Sequence, residues 1–162
     1  MNAIDEPRRG GVVKALSIQQ PWAYCITNGT KRVENRTWKS SFRGLLLIHA
    51  GKSFQPGVVD PIHADSPEID KREMFAAPRG GIVGFARMID CISVATDYHR
   101  IPTDQRIWSA ARGTPGQYVF LFSECGPLPF IPYRGGLGFF SIDTGSHTAI
   151  DAALRTFTEV AS

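Results

Sequence analysis

Gly29-Thr-Lys-Arg-Val-Glu-Asn-Arg36 is the stretch on which the reading of this chain turns. A glycine releases the backbone from a helix, and Lys31, Glu34 and Arg36 then crowd onto the opening of a strand. Ionisable groups this close share one electrostatic environment, and together they can hold a phosphate or position a proton. An isolated Lys-x-x-Glu is most often a solvated ion pair, contributing about 0–1 kcal/mol at a surface. The neighbouring sequence argues for a larger role.

Upstream, Val12–Ile18 reads as a first strand ending in Gln19-Gln20. Pro21 suits the first position of a helix, where its missing N–H costs nothing. Trp22 and Ile26 share one face of that helix, and Asn28-Gly29 supplies its stop. Downstream, Val33–Trp38 reads as a strand with Glu34, Arg36 and Trp38 on one side and Val33, Asn35 and Thr37 on the other. Lys31 precedes this alternation, so the turn after Gly29 sets its direction. Leu45–Ala50 is apolar almost throughout and predicts a strand buried on both faces.

Beyond it, Gly51, Pro56, Gly57, Pro61 and Pro67 break up residues 51–79, and Ser66-Pro67-Glu68 could cap a short helix running to about Phe75. Gly80–Ser93 is a long strand in which Gly84 marks a bulge or a close backbone approach. Residues 94–117 read as a loop with a short helix around Thr103–Ala111. Tyr118–Ser123, Leu128–Ile131 and Leu137–Ile142 read as short strands. An amphipathic helix from His147 to Val160 then turns Ile150, Leu154 and Phe157 toward the core. About six short strands with interspersed helices predict an α+β domain, a small barrel-like sheet with flanking helices. A doubly wound fold is disfavoured, because strands do not alternate with long helices and no glycine-rich phosphate loop follows a strand.

The 162 residues are enough for one domain with a real core. Residues 1–12 are expected to form a flexible tail, and residues 13–162 the domain. A content of 43% hydrophobic and 20% charged residues is that of a globular chain. No apolar run reaches the roughly 18–20 residues of a membrane span, and the polar opening lacks the apolar stretch of a signal peptide. Cys25, Cys91 and Cys125 are odd in number and far apart, which predicts reduced thiols and a cytoplasmic location. No metal-ligand spacing occurs, so neither metal nor cofactor is expected. The formal charge is only +3, but its distribution is uneven. Lys31, Arg32, Arg36, Lys39, Arg43 and Lys52 face the single acid Glu34 in one block. Asp60, Asp65, Glu68, Asp70 and Glu73 outweigh Lys71 and Arg72 in the next. A basic block on strands suggests an anionic partner. The plainer alternative pairs the two blocks as a salt-bridged surface.

Taken together, Leu16-Ser-Ile-Gln-Gln-Pro-Trp22, the Gly-x-Lys-x-x-Glu-x-Arg stretch and Phe42-Arg-Gly-Leu-Leu-Leu-Ile-His-Ala50 resemble the ASCH domain, a PUA-like family. Gly116-Gln-Tyr-Val-Phe120 and Pro132-Tyr-Arg-Gly-Gly-Leu-Gly-Phe-Phe140 are similar to the back half of small bacterial members. The resemblance implies a β pseudo-barrel with a cleft beside the first helix, lined by the motif and used for RNA or nucleotide recognition. Some small members resemble amidohydrolases that deacylate N4-acetylcytidine with the motif lysine, a threonine three residues later and a distant glutamate. Lys31 matches that lysine, whereas Glu34 stands at the threonine position. Ribonuclease activity is a further possibility that the resemblance carries.

The leading expectation is a domain that binds single-stranded RNA or a modified nucleotide, with no membrane association. The residues expected to make contact are Gln20, Trp22, Gly29, Lys31, Glu34, Arg36, Arg43, Lys52 and Arg134. The arginines offer planar, bidentate phosphate contacts. Trp22, Trp38, Trp108 and Tyr133 could stack on a base, and the turn Tyr133–Gly138 could let backbone approach a nucleotide. One alternative is a metal-independent hydrolase on RNA or a modified nucleoside, with Lys31, Glu34 and His49 as acid–base groups and burial lowering the lysine's proton affinity. The other is a protein-interaction domain that takes an acidic peptide.

Overall fold

The apolar run at Leu45–Ala50 lies at the heart of a six-stranded sheet in the computed structural model, which describes residues 11–160, with side chains described through residue 156. The strands are β1 (Val12–Gln20), β2 (Val33–Arg36), β3 (Gly44–Phe54), β4 (Gly81–Ser93), β5 (Tyr118–Pro132) and β6 (Phe139–Asp143). The helices are α1 (Trp22–Thr27), α2 (Val59–Asp65), α3 (Lys71–Ala76) and α4 (Thr148–Val160). The expected tail lies, up to residue 10, outside the described residues, and Val12 already pairs with Asp143. No helix among the described residues is long and apolar enough to cross a membrane.

The strand order is β2-β5-β4-β3-β1-β6. β1 and β3 run parallel, joined through α1 and β2, and every other neighbouring pair is antiparallel. In a flat sheet of this order β5 and β6 would stand about 19 Å apart, four strand spacings. Instead the rings of Phe120 on β5 and Phe139 on β6 stack with centroids 5.7 Å apart, and Trp38 meets each of them edge-on at 5.0 Å. At the same seam, Arg36 on β2 donates to the Ser17 carbonyl on β1. The sheet therefore curls until its two edges nearly meet, which makes it a pseudo-barrel with flanking helices.

Two cores follow from the curl. Leu16, Ile18, Leu46, Ile48, Met88, Phe120 and Phe122 fill the inside together with Ala23 and Ile26 of α1. Val13, Leu45, Leu47, Ile82, Phe85 and Ile142 face outward and are covered by Ile150 and Leu154 of α4. Residues 44–50 of β3 are buried on both faces, as their unbroken apolarity requires. Phe157, also expected on the core side of α4, lies beyond the described side chains.

Several elements differ from the sequence reading. α1 begins at Trp22, with Pro21 as the capping residue rather than the first helical one. β2 stops at Arg36, because Trp38 leaves the sheet line to plug the seam. The helix expected from Ser66 to about Phe75 is α3, which starts only at Lys71. Its cap is Asp70, whose carboxylate accepts from the N–H groups of Arg72 and Glu73, and α2 precedes Ser66 in a stretch where no helix was expected. The helix expected around Thr103–Ala111 is a 3-10 turn over Thr103–Trp108. Tyr118–Ser123 and Leu128–Ile131 join in one strand of 15 residues, whose pairing with β4 slips at three irregularities. Gly126 and Pro127 stay paired with Phe85 and Gly84 between two of those slips, so they do not end the strand.

Candidate functional site

α1 stops at Asn28, and the chain doubles back so that the Lys31 N–H donates to the Cys25 carbonyl at 3.2 Å. Arg32 pins the turn from outside, donating to the carbonyls of Ile26, Gly29 and Lys31. Gln105 braces it from the far side, accepting from the Arg32 N–H and donating to the Thr30 carbonyl. This turn sends the Lys31 side chain inward, where it is only 2% exposed. Its Nζ donates to Glu34 Oε2 at 2.9 Å and to the Val33 carbonyl, and it lies 5.8 Å from the centre of the Trp22 ring.

The other carboxylate oxygen of Glu34 stands 3.7 Å from Arg36 Nη2, which donates to the Ser17 carbonyl at 2.8 Å. Arg36 Nε is buried and meets no acceptor. Two cations thus flank one carboxylate, and donor capacity remains on both. Trp22, Lys31, Glu34 and Arg36 line a cleft of about 300 Å³ with Gln19, Asn35 and Trp108. Asn35 fixes the Trp108 wall by donating to the Trp108 carbonyl and accepting from the Ala110 N–H, both at 2.8 Å.

A second, larger cleft of about 870 Å³ opens where the ends of β1 and β3 meet the connection from β5 to β6. Ser17, His49, Lys52, Tyr133, Arg134 and the Gly135-Gly136 pair line it. His49 is buried, with Nδ1 2.8 Å from Ser17 Oγ and Nε2 2.7 Å from the Tyr133 carbonyl oxygen. A carbonyl only accepts, so Nε2 carries the hydrogen; in the neutral ring Nδ1 then accepts from the Ser17 hydroxyl.

The residues singled out in the sequence are thereby divided. Trp22, Lys31, Glu34 and Arg36 share the smaller cleft. His49, Lys52, Tyr133 and Arg134 line the larger one. Gln20 is 1% exposed and spans the Pro78 carbonyl and the Tyr24 N–H, anchoring α1. Gly29 contributes its carbonyl to Arg32. Arg43 sits outside both clefts in an ion pair with Asp90 at 3.5 Å. Trp38 is committed to the seam. Among the described residues no ion pair joins the basic block to the acidic one; Asp60 pairs with Lys71 inside its own block, at 2.8 Å. Gln19, Asn35 and Ser17 are additions that the residue types did not announce. The alternation of β1 offers one signal, since Ser17 and Gln19 share a face two residues apart.

Burial pushes the Cys25 thiol up to about 11, against the pull of the Lys31 charge, and Cys125 likewise to about 11. Burial, followed by a hydrogen bond to Glu73, raises the Tyr24 hydroxyl well above its ordinary value. No group of three or more His, Cys, Asp and Glu side chains among the described residues could hold a metal ion.

Comparison with known proteins gives a consistent picture. The ASCH domain family model matches residues 16–135. Activating signal cointegrator 1 of Mus musculus is 37% identical over 139 residues, which is 82% of this chain and 22% of that protein. Activating signal cointegrator 1 of Homo sapiens is 35% identical over 82 residues, 48% of this chain and 14% of that protein. The matched region is thus about a fifth or less of the length of these curated relatives. The crystal structure of ASCH from Zymomonas mobilis superposes with a TM-score of 0.54 at 15% identity, covering 90% of this chain and 96% of that one. At that identity the likeness is one of fold.

Proposed function

The chain belongs to the ASCH domain family, which is PUA-like and associated with RNA binding, and from that premise we propose that its motif cleft binds one unstacked nucleotide of a single-stranded RNA. The observation that carries this reading is the convergence of Lys31, Glu34 and Arg36 in one concave volume, beside Trp22 and Trp108, whose rings meet edge-on with centroids 6.4 Å apart. A base edge presents donors beside acceptors. Glu34 is an acceptor, and Lys31 and Arg36 keep donor capacity beyond their protein contacts. About 300 Å³ is at the small end of ligand pockets, a size for one nucleotide rather than a duplex. Single strands expose edges and faces to such a cleft, and each stacked base contributes about 1–3 kcal/mol. Lys52 and Arg134, in the neighbouring cleft, extend the positive field that draws a polyanion toward the protein.

Fluorescence anisotropy with a labelled single-stranded RNA tests the proposal. Arg36→Gln removes a charge while leaving an amide near Ser17. The expected loss is about 1.5–3 kcal/mol of binding, the range for a hydrogen bond made by a charged group, so affinity falls roughly tenfold or more. A duplex of the same sequence binds more weakly than the single strand. Equal affinity of Arg36→Gln and the parent protein would remove the motif cleft from the binding account. Competition by free cytidine and by N4-acetylcytidine then reports whether a modified base is preferred.

A further inference from the structure

We propose that the larger cleft is a second, catalytic site, in which Ser17 is a nucleophile, His49 its general base and the Tyr133 carbonyl the group that orients the base, acting on a carboxylic ester carried by an anionic molecule. This goes beyond nucleotide binding and does not depend on it, because none of the three groups lines the motif cleft.

Four observations combine. Ser17 Oγ lies 2.8 Å from His49 Nδ1, within reach for proton transfer. The opposite ring nitrogen is held 2.7 Å from the Tyr133 carbonyl oxygen, which fixes the tautomer that leaves Nδ1 as the acceptor. A nucleophile, a base and a third group that orients the base form the signature of an activated hydroxyl. The imidazole is 3% exposed and further fixed by the Phe140 ring, whose centroid is 5.7 Å away, so its direction is set before any ligand arrives. Third, Ser17 is only partly buried and opens onto about 870 Å³, room for a substrate of nucleotide size or larger. Fourth, Gly135 passes directly over the pair: a Cβ there would stand 2.7 Å from Ser17 Oγ and 2.8 Å from His49 Cε1. Gly135 and Gly136 both line the cleft, and among the described hydrogen bonds their N–H groups have no acceptor, which leaves backbone donors in its wall for a developing oxyanion. Lys52 and Arg134 in the cleft wall select a substrate bearing negative charge.

In the reaction, Ser17 Oγ bonds to the ester carbonyl carbon as its proton passes to His49 Nδ1, and the carbonyl π pair moves onto oxygen. Collapse of that intermediate breaks the bond to the alcohol oxygen, which takes the proton from Nδ1. Water then repeats the sequence on the acyl-serine, releasing the acid and restoring the hydroxyl. The net change is ester plus water to acid plus alcohol.

The test is covalent labelling of the full chain with an alkyl fluorophosphonate, in which an Oγ–P bond forms and fluoride leaves. One adduct per chain is expected, mapping by mass spectrometry to Ser17, absent in Ser17→Ala and retained in Ser123→Ala. His49→Gln keeps a donor for the Tyr133 carbonyl but cannot accept the proton, and should slow labelling by about 100-fold or more. Gly135→Ala should block the adduct while circular dichroism shows the fold retained. In a second arm, a p-nitrophenyl ester bearing a phosphonate group should give a burst of one nitrophenolate per chain. Its kcat/KM should exceed that of p-nitrophenyl acetate about tenfold or more, and Arg134→Ala should erase the difference. No adduct, an adduct elsewhere, or labelling that persists in Ser17→Ala would overturn the proposal. Equal rates for the two esters would overturn the anionic specificity.

Discussion

The Lys31 ammonium is buried against the Glu34 carboxylate, 2.9 Å away. Read as a surface ion pair, Lys31–Glu34 would contribute about 0–1 kcal/mol. In the fold the lysine is 2% exposed and its ammonium holds both the Glu34 carboxylate and the Val33 carbonyl. Lys31→Met should therefore cost about 3–5 kcal/mol in chemical denaturation, because a buried carboxylate loses its partner. Lys31→Met combined with Glu34→Leu should be less destabilising than Lys31→Met alone; a double variant as unstable as the sum of the singles would contradict this. The pattern of residues announced the charge cluster but not its depth. Depth depends on Gln105, which lies in a distant loop and nonetheless clamps the motif turn. The cysteines give a second prediction at this scale. The unfolded chain releases the Cys25 proton near 9.0, whereas the folded protein holds it to about 11. Stability from the neutral thiol is thus complete below pH 9.0 and is lost as pH rises toward about 11. The urea midpoint should fall across that window, and Cys25→Ala should flatten the fall; an equally steep fall in Cys25→Ala would contradict the assignment.

At the level of elements, legibility followed how local each signal was. The unbroken apolar run of β3 and the spacing of Ile150 and Leu154 on α4 are local patterns, and both elements appear where expected. Boundaries set by distant contacts were not legible. β2 ends early because Trp38 is drawn to Phe139, roughly a hundred residues away in sequence, and β5 continues through Gly126 and Pro127 because β4 supplies the pairing. Gly84 was read as a bulge or a close approach, and it is both. The pairing of β4 with both β3 and β5 shifts between Ile82 and Gly84, and a Cβ on Gly84 would stand 2.4 Å from Thr27 Cγ2 and 2.3 Å from the Gly126 carbonyl oxygen. Gly84→Ala should cost about 1–3 kcal/mol through overpacking, read as a lower melting temperature. Because the strain falls on Thr27 in α1, backbone amides of that helix should exchange with solvent faster in the same variant. Exchange unchanged in α1 would mean that the clash is relieved elsewhere.

For the molecule as a whole, the curl of the sheet creates the site. It brings β2 to β1 so that Arg36 reaches Ser17, and it sets the motif cleft and the Ser17–His49 cleft next to each other. No sequence pattern of period two or 3.6 reports such closure, which is why His49, Lys52 and Arg134 could be grouped with Lys31 in the sequence but stand in a different cleft. The uneven charge predicts that RNA affinity falls as salt rises, with the logarithm of affinity linear in the logarithm of salt concentration. Salt-independent binding would point to a partner held by other means. That the nucleotide enters the cleft lined by Trp22 and Trp108 is open to a direct measurement, because the chain has 3 tryptophans in distinct settings. Their indole N–H resonances can be followed separately by NMR as a single-stranded RNA is added. The Trp22 and Trp108 signals should shift with saturation while the signal of Trp38, packed against Phe120 and Phe139, stays in place. Binding that leaves the Trp22 and Trp108 signals unmoved would contradict it.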